Sequence, residues 1–161
     1  MRVGIGYDSH RFGEDRPLVL GGVVIPHGVG LHGHSDADAV AHAITDAMLG
    51  AACLGDIGRL FPDTDPAHKN IDSMQILATV RDLLRTNGWV LQQTDVTVIL
   101  EEPKLSPRIG AMQERLCEVL GVGSTSVSIK AKTNEGMGFV GTREGIAVVA
   151  IATIVATPSP G

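Results

Sequence analysis

Apolar residues recur along the chain at two spacings, which predict strands alternating with helices. Weak alternation over residues 2–7 predicts a strand that continues to position 10. Two apolar runs, 18–20 and 23–25, flank a pair of glycines and predict a β-hairpin. Further strands are predicted over residues 90–100, 125–132 and 145–156.

Three other segments carry apolar residues at helical spacing. Ser35 is the predicted N-cap of the first, with Asp38 three residues later in a position that resembles a capping box. Ser73 is the predicted N-cap of the second, while Gly88 and Gly121 are the stop signals of the second and third. The predicted helices run over residues 35–53, 73–88 and 106–121.

Strands that alternate with helices predict an α+β fold, a mixed β-sheet with helices packed on one face. We expect a single domain over residues 1–156 and a short C-terminal tail over residues 157–161. Residues 55–72 form a long irregular connection, which in a compact domain is more often functional than idle. We therefore expect residues 56–65 to act as a lid over a binding site.

Composition and charge narrow the range of partners. The chain has 161 residues, a net charge of −5 and few aromatic residues, with Phe 3, Tyr 1 and Trp 1. These values argue against nucleic acid as a binding partner, because its recognition requires a basic surface and side chains that stack on bases. The longest apolar run, 146–156, is too short to span a bilayer. With no apolar leader evident, we predict a cytoplasmic protein with Cys53 and Cys117 as buried free thiols.

The first candidate site combines Asp8, His10 and His42. Residues two apart in a strand point to the same side, so Asp8 and His10 could bind one ion together. Two imidazoles and a carboxylate suit Zn²⁺ with one coordination position left open. Asp38 or Asp46, each four residues from His42, could support its ring. The alternative is a strand-end turn with an ordinary hydrogen-bonded histidine.

A second candidate site lies at the start of the first predicted helix. His34 and Ser35 stand where main-chain N–H groups favour an anion. The alternative is a capped helix whose histidines are merely exposed. The remaining histidines are predicted to be surface residues: His27, His32 and His68.

A third candidate site follows a predicted strand end. Lys132, Thr133 and Glu135 place a cation, a hydroxyl and a carboxylate together, which suits a diphosphate with Mg²⁺ held by Glu135. Lys104 could add a phosphate contact. An ordinary polar strand end is the alternative. Three loop aspartates could also hold hydroxyls or a metal: Asp56, Asp63 and Asp65.

Six segments together resemble the signature of the 2-C-methyl-D-erythritol 2,4-cyclodiphosphate synthase family. They occur in the expected order, and the resemblance extends over residues 1–156. In this sequence they read GIGYDSHRF (4–12), HSDAD (34–38), HAITDA (42–47), LGDIGRLFPDTD (54–65), KAKTNEGMGF (130–139) and EGIA (144–147).

The resemblance implies a homotrimer of α+β subunits with active sites between neighbouring chains. It implies a step in the nonmevalonate route to isoprenoid precursors: 4-diphosphocytidyl-2-C-methyl-D-erythritol 2-phosphate would be cyclised with release of CMP. Asp8, His10 and His42 would bind Zn²⁺, and Glu135 would hold Mg²⁺ or Mn²⁺ beside Thr133.

The same resemblance assigns substrate contacts along most of the chain. His34 and Ser35 would contact the phosphates of the substrate. Asp56 and Gly58 would contact the methylerythritol part of the substrate. Four further residues of this segment are expected to bind substrate: Ile57, Phe61, Asp63 and Asp65. The pocket for cytidine diphosphate would include Leu100, Lys104, Leu105, Ala131, Lys132 and Thr133.

The chain departs from the family pattern in one segment. Relatives commonly carry Gly-Arg-x-Glu-Gly near the trimer axis, whereas residues 141–145 read GTREG, with Arg143 displaced by one position. In a strand this displacement would turn the side chain to the other face, which argues against a central phosphate site. Phe139 could still line an apolar channel there.

Two other functions use the same residues. A metal-dependent phosphohydrolase would activate water against a nucleotide diphosphate and release linear phosphate. A non-catalytic metal- or nucleotide-binding module would hold its ion in a closed site.

Overall fold

Five strands form one mixed sheet, and a separate hairpin covers one of its edges. A computed structural model describes residues 1–62 and 71–157. Its strands are β1 (Arg2–Glu14), β2 (Leu18–Leu20), β3 (Val23–Ile25), β4 (Gly30–Leu31), β5 (Trp89–Ile99), β6 (Val127–Lys132) and β7 (Gly145–Ala156). Its helices are α1 (Ala39–Ala52), α2 (Ile57–Leu60), α3 (Ser73–Thr86), α4 (Ile109–Leu120) and α5 (Gly138–Gly141).

The order of the strands places the candidate residues at one end of the sheet. The order is β4-β1-β7-β5-β6, with β5 and β6 parallel and the other neighbours antiparallel. Ser9 lies opposite Ala147, which lies opposite Ile99, which lies opposite Lys132. At a strand spacing of about 4.8 Å, β1 and β6 are therefore about 14 Å apart along this row. The predicted mixed sheet is confirmed.

Helices α1, α3 and α4 pack on one face of this sheet, as predicted. The contact of α1 with β1 is unusually close because two glycines of the strand face the helix. A Cβ atom at Gly6 would lie 1.9 Å from the carbonyl oxygen of Ala43, and one at Gly4 would lie 2.1 Å from that of Ala47. The missing side chains thus bring the backbone of α1 against the backbone of β1.

The opposite face of the sheet carries exposed apolar side chains. Val3, Ile5 and Tyr7 alternate along β1 and are 62%, 68% and 56% exposed. Ile151, which pairs with Ile5, is 43% exposed. A contiguous apolar patch of this kind typically marks a contact surface.

Asp38, rather than the predicted Ser35, is the N-cap of α1. Its side chain accepts two N–H groups from the first turn of the helix at 3.1 Å. It also accepts the N–H of Gly21 at 2.9 Å and that of Gly22 at 2.6 Å. Burial raises the pKa of this carboxyl group to about 6, although the N–H donors oppose the rise. Asp38 thereby joins the turn of the hairpin to the helix.

The predicted starts of the other two long helices also need correction. Asp72 caps α3, with its side chain accepting the N–H of Met74 at 2.8 Å, and Ser73 is the first helical residue. Helix α4 begins at Ile109, because residues 106–108 form a turn rather than helix. The predicted stop of α4 is correct, since Gly121 adopts the left-handed conformation at its C-cap.

Three further expectations differ from the structure. Strand β1 continues beyond position 10, so the Asp-x-His motif lies within a strand and not at its end. The irregular connection contains the short helix α2. Cys53 is exposed because it is the left-handed C-cap residue of α1, whereas Cys117 is buried as predicted.

Candidate metal centre and adjoining pockets

Asp8, His10 and His42 converge on one point between β1 and α1. Asp8 Oδ2 lies 2.9 Å from His10 Nε2 and 3.0 Å from His42 Nδ1. The two ring nitrogens are 3.3 Å apart. Among the described residues these three could hold a metal ion, since their donor atoms all lie within 4.8 Å of one another. The predicted same-side placement of Asp8 and His10 is confirmed.

This donor set fits a divalent cation. Imidazole nitrogens and a carboxylate oxygen bind such ions at about 2.0–2.2 Å, so donor atoms roughly 3 Å apart suit a single ion between them. Three protein ligands leave a coordination position for a substrate oxygen. The side chains of Asp8 and His42 are 23% and 12% exposed, so the group is sheltered yet reachable.

The pKa values of Asp8 and His10 are both shifted by their neighbours in this group. Burial of Asp8 disfavours its charged form, but hydrogen bonds and charge from His10 and His42 outweigh this and hold its pKa below the ordinary value. For His10, burial lowers the pKa, yet the hydrogen bond and charge of Asp8 raise it above the ordinary value. The Asp8 carboxylate therefore stays ionised, and its negative charge favours a cation beside it.

Contacts behind the ligands fix the direction of each ring. His10 Nδ1 donates to the carbonyl oxygen of His32 at 2.6 Å, which leaves Nε2 free to face the centre. His42 Nε2 lies 3.0 Å from Ser35 Oγ and 2.9 Å from Ser73 Oγ. Sequence reasoning missed Ser73, because nothing in its local pattern links it to a residue 31 positions earlier.

Asp38 and Asp46, the expected partners of the His42 ring, have other roles. Asp38 caps α1 from within the core. Asp46 Oδ1 accepts the N–H of Ile57 at 2.7 Å and so ties α1 to the start of α2. The expectation for the His42 ring is therefore wrong, and serine hydroxyls take that place.

A cavity of about 390 Å³ opens beside the three ligands. Its walls are lined by Asp8, His10, His32, Gly33, His34, Ser35, His42, Asp46, Ile57, Gly58, Phe61, Ile71 and Ile76. It therefore brings together eight of the predicted site residues on one chain. Asp56 lies just outside, where its side chain caps α2 by accepting the N–H of Arg59 at 2.9 Å.

Arg16 holds the loop that forms one wall of this cavity. Its guanidinium group donates to the carbonyl oxygens of Leu31, Gly33 and Ser35 at 2.6–3.1 Å. Several carbonyls bound to one planar group fix the course of the loop. No sequence signal identified Arg16, because its partners are main-chain atoms.

A second cavity, of about 200 Å³, lies where β5 and β6 end. It is lined by Leu100, Glu101, Pro103, Lys104, Leu105, Ser106, Ala131, Lys132 and Thr133. All six residues predicted for the cytidine diphosphate pocket are therefore neighbours in the fold. Whether they bind a nucleotide stays a prediction at this point.

Glu135 lies in a tight loop next to this second cavity. It adopts a left-handed conformation, with φ 53°, and its Oε1 accepts the hydroxyl of Thr133 at 2.7 Å. Glu101 Oε1 accepts the N–H of Asn134 at 2.9 Å and that of Gly136 at 3.3 Å. Glu101, which sequence reasoning did not single out, thus anchors both sides of Glu135.

The remaining predicted residues lie elsewhere. Phe139 borders a third cavity, of about 240 Å³, together with Glu144. Arg143 lies between α5 and β7, with φ 62° and a 3.4 Å ion pair to Glu102, so the argument from strand alternation does not apply to it. Asp63, Asp65 and His68, and with them residues 63–65 at the end of the expected lid, lie outside the described residues.

A family model described as the YgbB family matches residues 1–155. The chain belongs to this family.

Two similar relatives of this YgbB family member carry the same name. The protein named 2-C-methyl-D-erythritol 2,4-cyclodiphosphate synthase from Gemmatimonas aurantiaca is 55% identical over 159 residues, which is 99% of this chain and 96% of that protein. The protein of the same name from Syntrophus aciditrophicus is 54% identical over 154 residues, which is 96% of this chain and 97% of that protein.

Solved structures agree with the fold of this YgbB family chain. A synthase of the same name, in a form bound to CDP, is 38% identical with a TM-score of 0.88 over 96% of this chain and 100% of that chain. The bifunctional IspDF of Campylobacter jejuni is 44% identical with a TM-score of 0.93 over 96% of this chain. The present chain spans only 42% of that protein. No helix in the described part of this chain has the length and apolar character to cross a membrane.

Proposed function

We propose that this chain cyclises 4-diphosphocytidyl-2-C-methyl-D-erythritol 2-phosphate to 2-C-methyl-D-erythritol 2,4-cyclodiphosphate and releases CMP. The observation that carries the proposal is the convergence of Asp8, His10 and His42 on one point beside a cavity. The names of its YgbB family relatives point to the same reaction.

Zn²⁺ is the proposed ion for Asp8, His10 and His42. Two nitrogen donors and one oxygen donor are typical of catalytic zinc sites that keep one position open. Glu135 is the proposed ligand for Mg²⁺ or Mn²⁺ on the diphosphate, because a single carboxylate with substrate phosphates is a usual environment for these ions. Bound there, the cations would neutralise phosphate oxygens that otherwise repel one another.

The residues of the chain then have to position a substrate that reacts with itself. An oxygen of the 2-phosphate forms a bond to the β-phosphorus, and the bond from that phosphorus to the CMP oxygen breaks, with the electron pair leaving on CMP. His34 and Ser35 would hold the 2-phosphate, and Lys132 and Thr133 the diphosphate. No protein nucleophile is needed, since alignment provides the rate enhancement.

Active sites shared between three subunits are the proposed arrangement. On one chain the metal ligands lie on β1 and α1, whereas Lys132 of the second cavity lies on β6, a strand about 14 Å from β1 across the sheet. The exposed apolar face around Ile5 and Tyr7 gives the subunits a surface for association. A neighbouring chain could then place its second cavity beside the metal centre of the first.

Phosphorus NMR of the purified chain with the proposed substrate tests the reaction. With Zn²⁺ and Mg²⁺ we expect two coupled signals of a cyclic diphosphate together with CMP, and no reaction after addition of chelator. Linear phosphate products would instead indicate a hydrolase. An unchanged spectrum under every metal condition would favour a binding module.

A further inference from the structure

The edge of the His42 ring that points away from the metal centre meets Ser73, which in turn contacts the half-buried Asp36. Ser73 is fully buried, and its Oγ lies 2.9 Å from His42 Nε2. The same hydroxyl donates a hydrogen bond to Asp36 Oδ1. We propose that Ser73 and Asp36 are positioning residues, which keep the proton of His42 on Nε2 and so leave Nδ1 free to bind the metal.

The direction of the hydrogen bonds follows from the chemistry of the three groups. An ionised carboxylate only accepts, so the hydroxyl of Ser73 donates its proton to Asp36. The remaining lone pairs of Ser73 Oγ can then only accept, and His42 Nε2 must supply the hydrogen. A neutral imidazole carries one proton, so a proton on Nε2 leaves a lone pair on Nδ1. That nitrogen lies 3.0 Å from Asp8 Oδ2, so a proton shared with Asp8 in the metal-free chain would be the one that a bound metal displaces, while the proton on Nε2 stays.

Asp36 is itself held in place, which makes this arrangement directional. Its Oδ2 accepts the N–H of Ser73 and its Oδ1 that of Asp38, both at 3.2 Å. The N–H of Asp36 in turn donates to the carbonyl oxygen of Ile71 at 3.2 Å. The carboxylate therefore links the loop before α1 to the start of α3, and Ser73 meets it through both backbone and side chain.

Ser35 is the alternative candidate for the same task, and its contacts argue against it. Its Oγ lies 3.0 Å from His42 Nε2, but it accepts the N–H of Ala37 at 3.1 Å and has no carboxylate to take its proton. Ser35 Oγ also lies 3.4 Å from Ser73 Oγ, so its hydroxyl can donate to Ser73, donate to His42 Nε2 or accept from it, and it does not fix the ring. Among the described contacts of Nε2, the one with Ser73 leads on to a carboxylate, whereas Asp8 faces Nδ1.

Zinc affinity measured on the full chain without substrate tests the positioning role, which rests on the proposed metal centre. Competition with a chromophoric chelator would be applied to the wild type, Ser73→Ala, Asp36→Asn and Ser73→Thr. Loss of such outer contacts typically weakens metal binding about 10–100-fold, so we expect this loss for Ser73→Ala and a smaller one for Asp36→Asn. Ser73→Thr retains the hydroxyl, so its zinc affinity should be close to that of the wild type.

Asp72→Ala is the matched control, because it removes the N-cap of the same helix without touching His42. It should lower the melting temperature yet leave zinc affinity unchanged. Equal zinc affinity in the wild type and in Ser73→Ala would overturn the positioning role alone. A wild type that binds no zinc would overturn the metal centre as well.

Long-range ¹H–¹⁵N correlation spectra of the zinc-loaded, histidine-labelled wild type give a second readout that does not depend on a Ser73 variant. We expect His42 to carry a slowly exchanging proton on Nε2 and to bind the metal through Nδ1. Faster exchange of that proton in Asp36→Asn would support the coupling, even if Ser73→Ala fails to fold. A His42 ring protonated on Nδ1 would overturn the proposal.

Discussion

Glu101 and Asn134 join the ends of β5 and β6, because Glu101 Oε1 accepts the N–H of Asn134 at 2.9 Å. The same oxygen accepts the N–H of Gly136, so the residue between these two donors, Glu135, is held from both sides. The proposed Mg²⁺ ligand thus depends for its position on an acid that lies just past the end of β5.

Replacement of Glu101 should therefore impair catalysis by Glu135 without unfolding the chain. A hydrogen bond to a charged group contributes about 1.5–3 kcal/mol, and each 1.4 kcal/mol corresponds to roughly a tenfold change in rate. We expect Glu101→Ala to lower kcat/KM at least tenfold and to raise the Mg²⁺ concentration for half-maximal activity. Glu118→Ala, which removes a surface acid paired with Arg115, is the control and should behave like the wild type.

His42→Ala should abolish stoichiometric zinc binding while the fold is retained. The ring supplies one of three donors, and its loss leaves a pair of ligands too weak to hold the ion firmly. The free energy of unfolding should fall by about 1–3 kcal/mol, because Ser35 and Ser73 lose a hydrogen-bonding partner. Zinc content after dialysis measures the effect, with His27→Ala, a histidine that lies beside Phe12, as control. Full zinc occupancy in His42→Ala would contradict the ligand assignment.

Ile5→Lys should disrupt the proposed trimer. The side chain is 68% exposed on the helix-free face of the sheet, where a charge would be buried by association. Sedimentation should show a monomer with native circular dichroism and little activity. Val24→Lys changes a valine that is 61% exposed on the hairpin instead, and it should remain trimeric. A fully active monomer of the wild type would refute shared active sites.

The buried carboxyl of Asp38 should give a distinct pH dependence of stability. Its pKa is about 6 in the folded chain against 3.8 for the free side chain, so the folded state holds the proton more tightly. The stabilisation is fully present below pH 3.8 and is lost as the pH rises through about 6. Asp36, whose charge adds to the rise, lies beside it.

Comparison of the wild type with Asp38→Asn isolates this effect from other titrating groups. The difference in free energy of unfolding between them should fall by about 2 kcal/mol from pH 4 to pH 6. Urea titrations of the metal-free proteins in chelator would measure it. A difference independent of pH would show that Asp38 titrates alike in both states.

Gly6→Ala should be strongly destabilising, because the new Cβ atom would lie 1.9 Å from the carbonyl oxygen of Ala43. Overpacking of this kind costs about 3 kcal/mol, and the shifted helix would also displace His42. Urea denaturation and zinc content would report the two effects. Gly110→Ala is the matched control, since its Cβ would meet nothing within 4 Å, and it should stabilise α4 by up to about 1 kcal/mol.

Much of the fold follows from local pattern. The spacing of apolar residues located every long strand and helix, because burial of one face is a local property of each segment. The starts of α1, α3 and α4 were wrong, since several polar residues precede each helix and only the three-dimensional path selects the cap. Asp38, for example, caps α1 because the hairpin glycines also need its carboxylate.

The candidate site was predictable where residue types and the family resemblance agreed. Asp8, His10 and His42 converge as predicted, because strand alternation aligns the first two. Arg16, Ser73 and Glu101 were missed, as their roles consist of hydrogen bonds between distant segments. The identity of the ions, the trimer and the cytoplasmic location stay predictions.

The close contact of Gly4 and Gly6 with the backbone of α1 also limits which substitutions this protein can accept. The obstacle to a side chain at Gly6 is a main-chain oxygen, so no substitution on α1 could make room for it. Compensation would require the whole helix to move, and that movement would carry His42 away from Asp8. A selection for active variants that begins from Gly6→Ala should therefore return glycine at position 6 rather than a second-site suppressor.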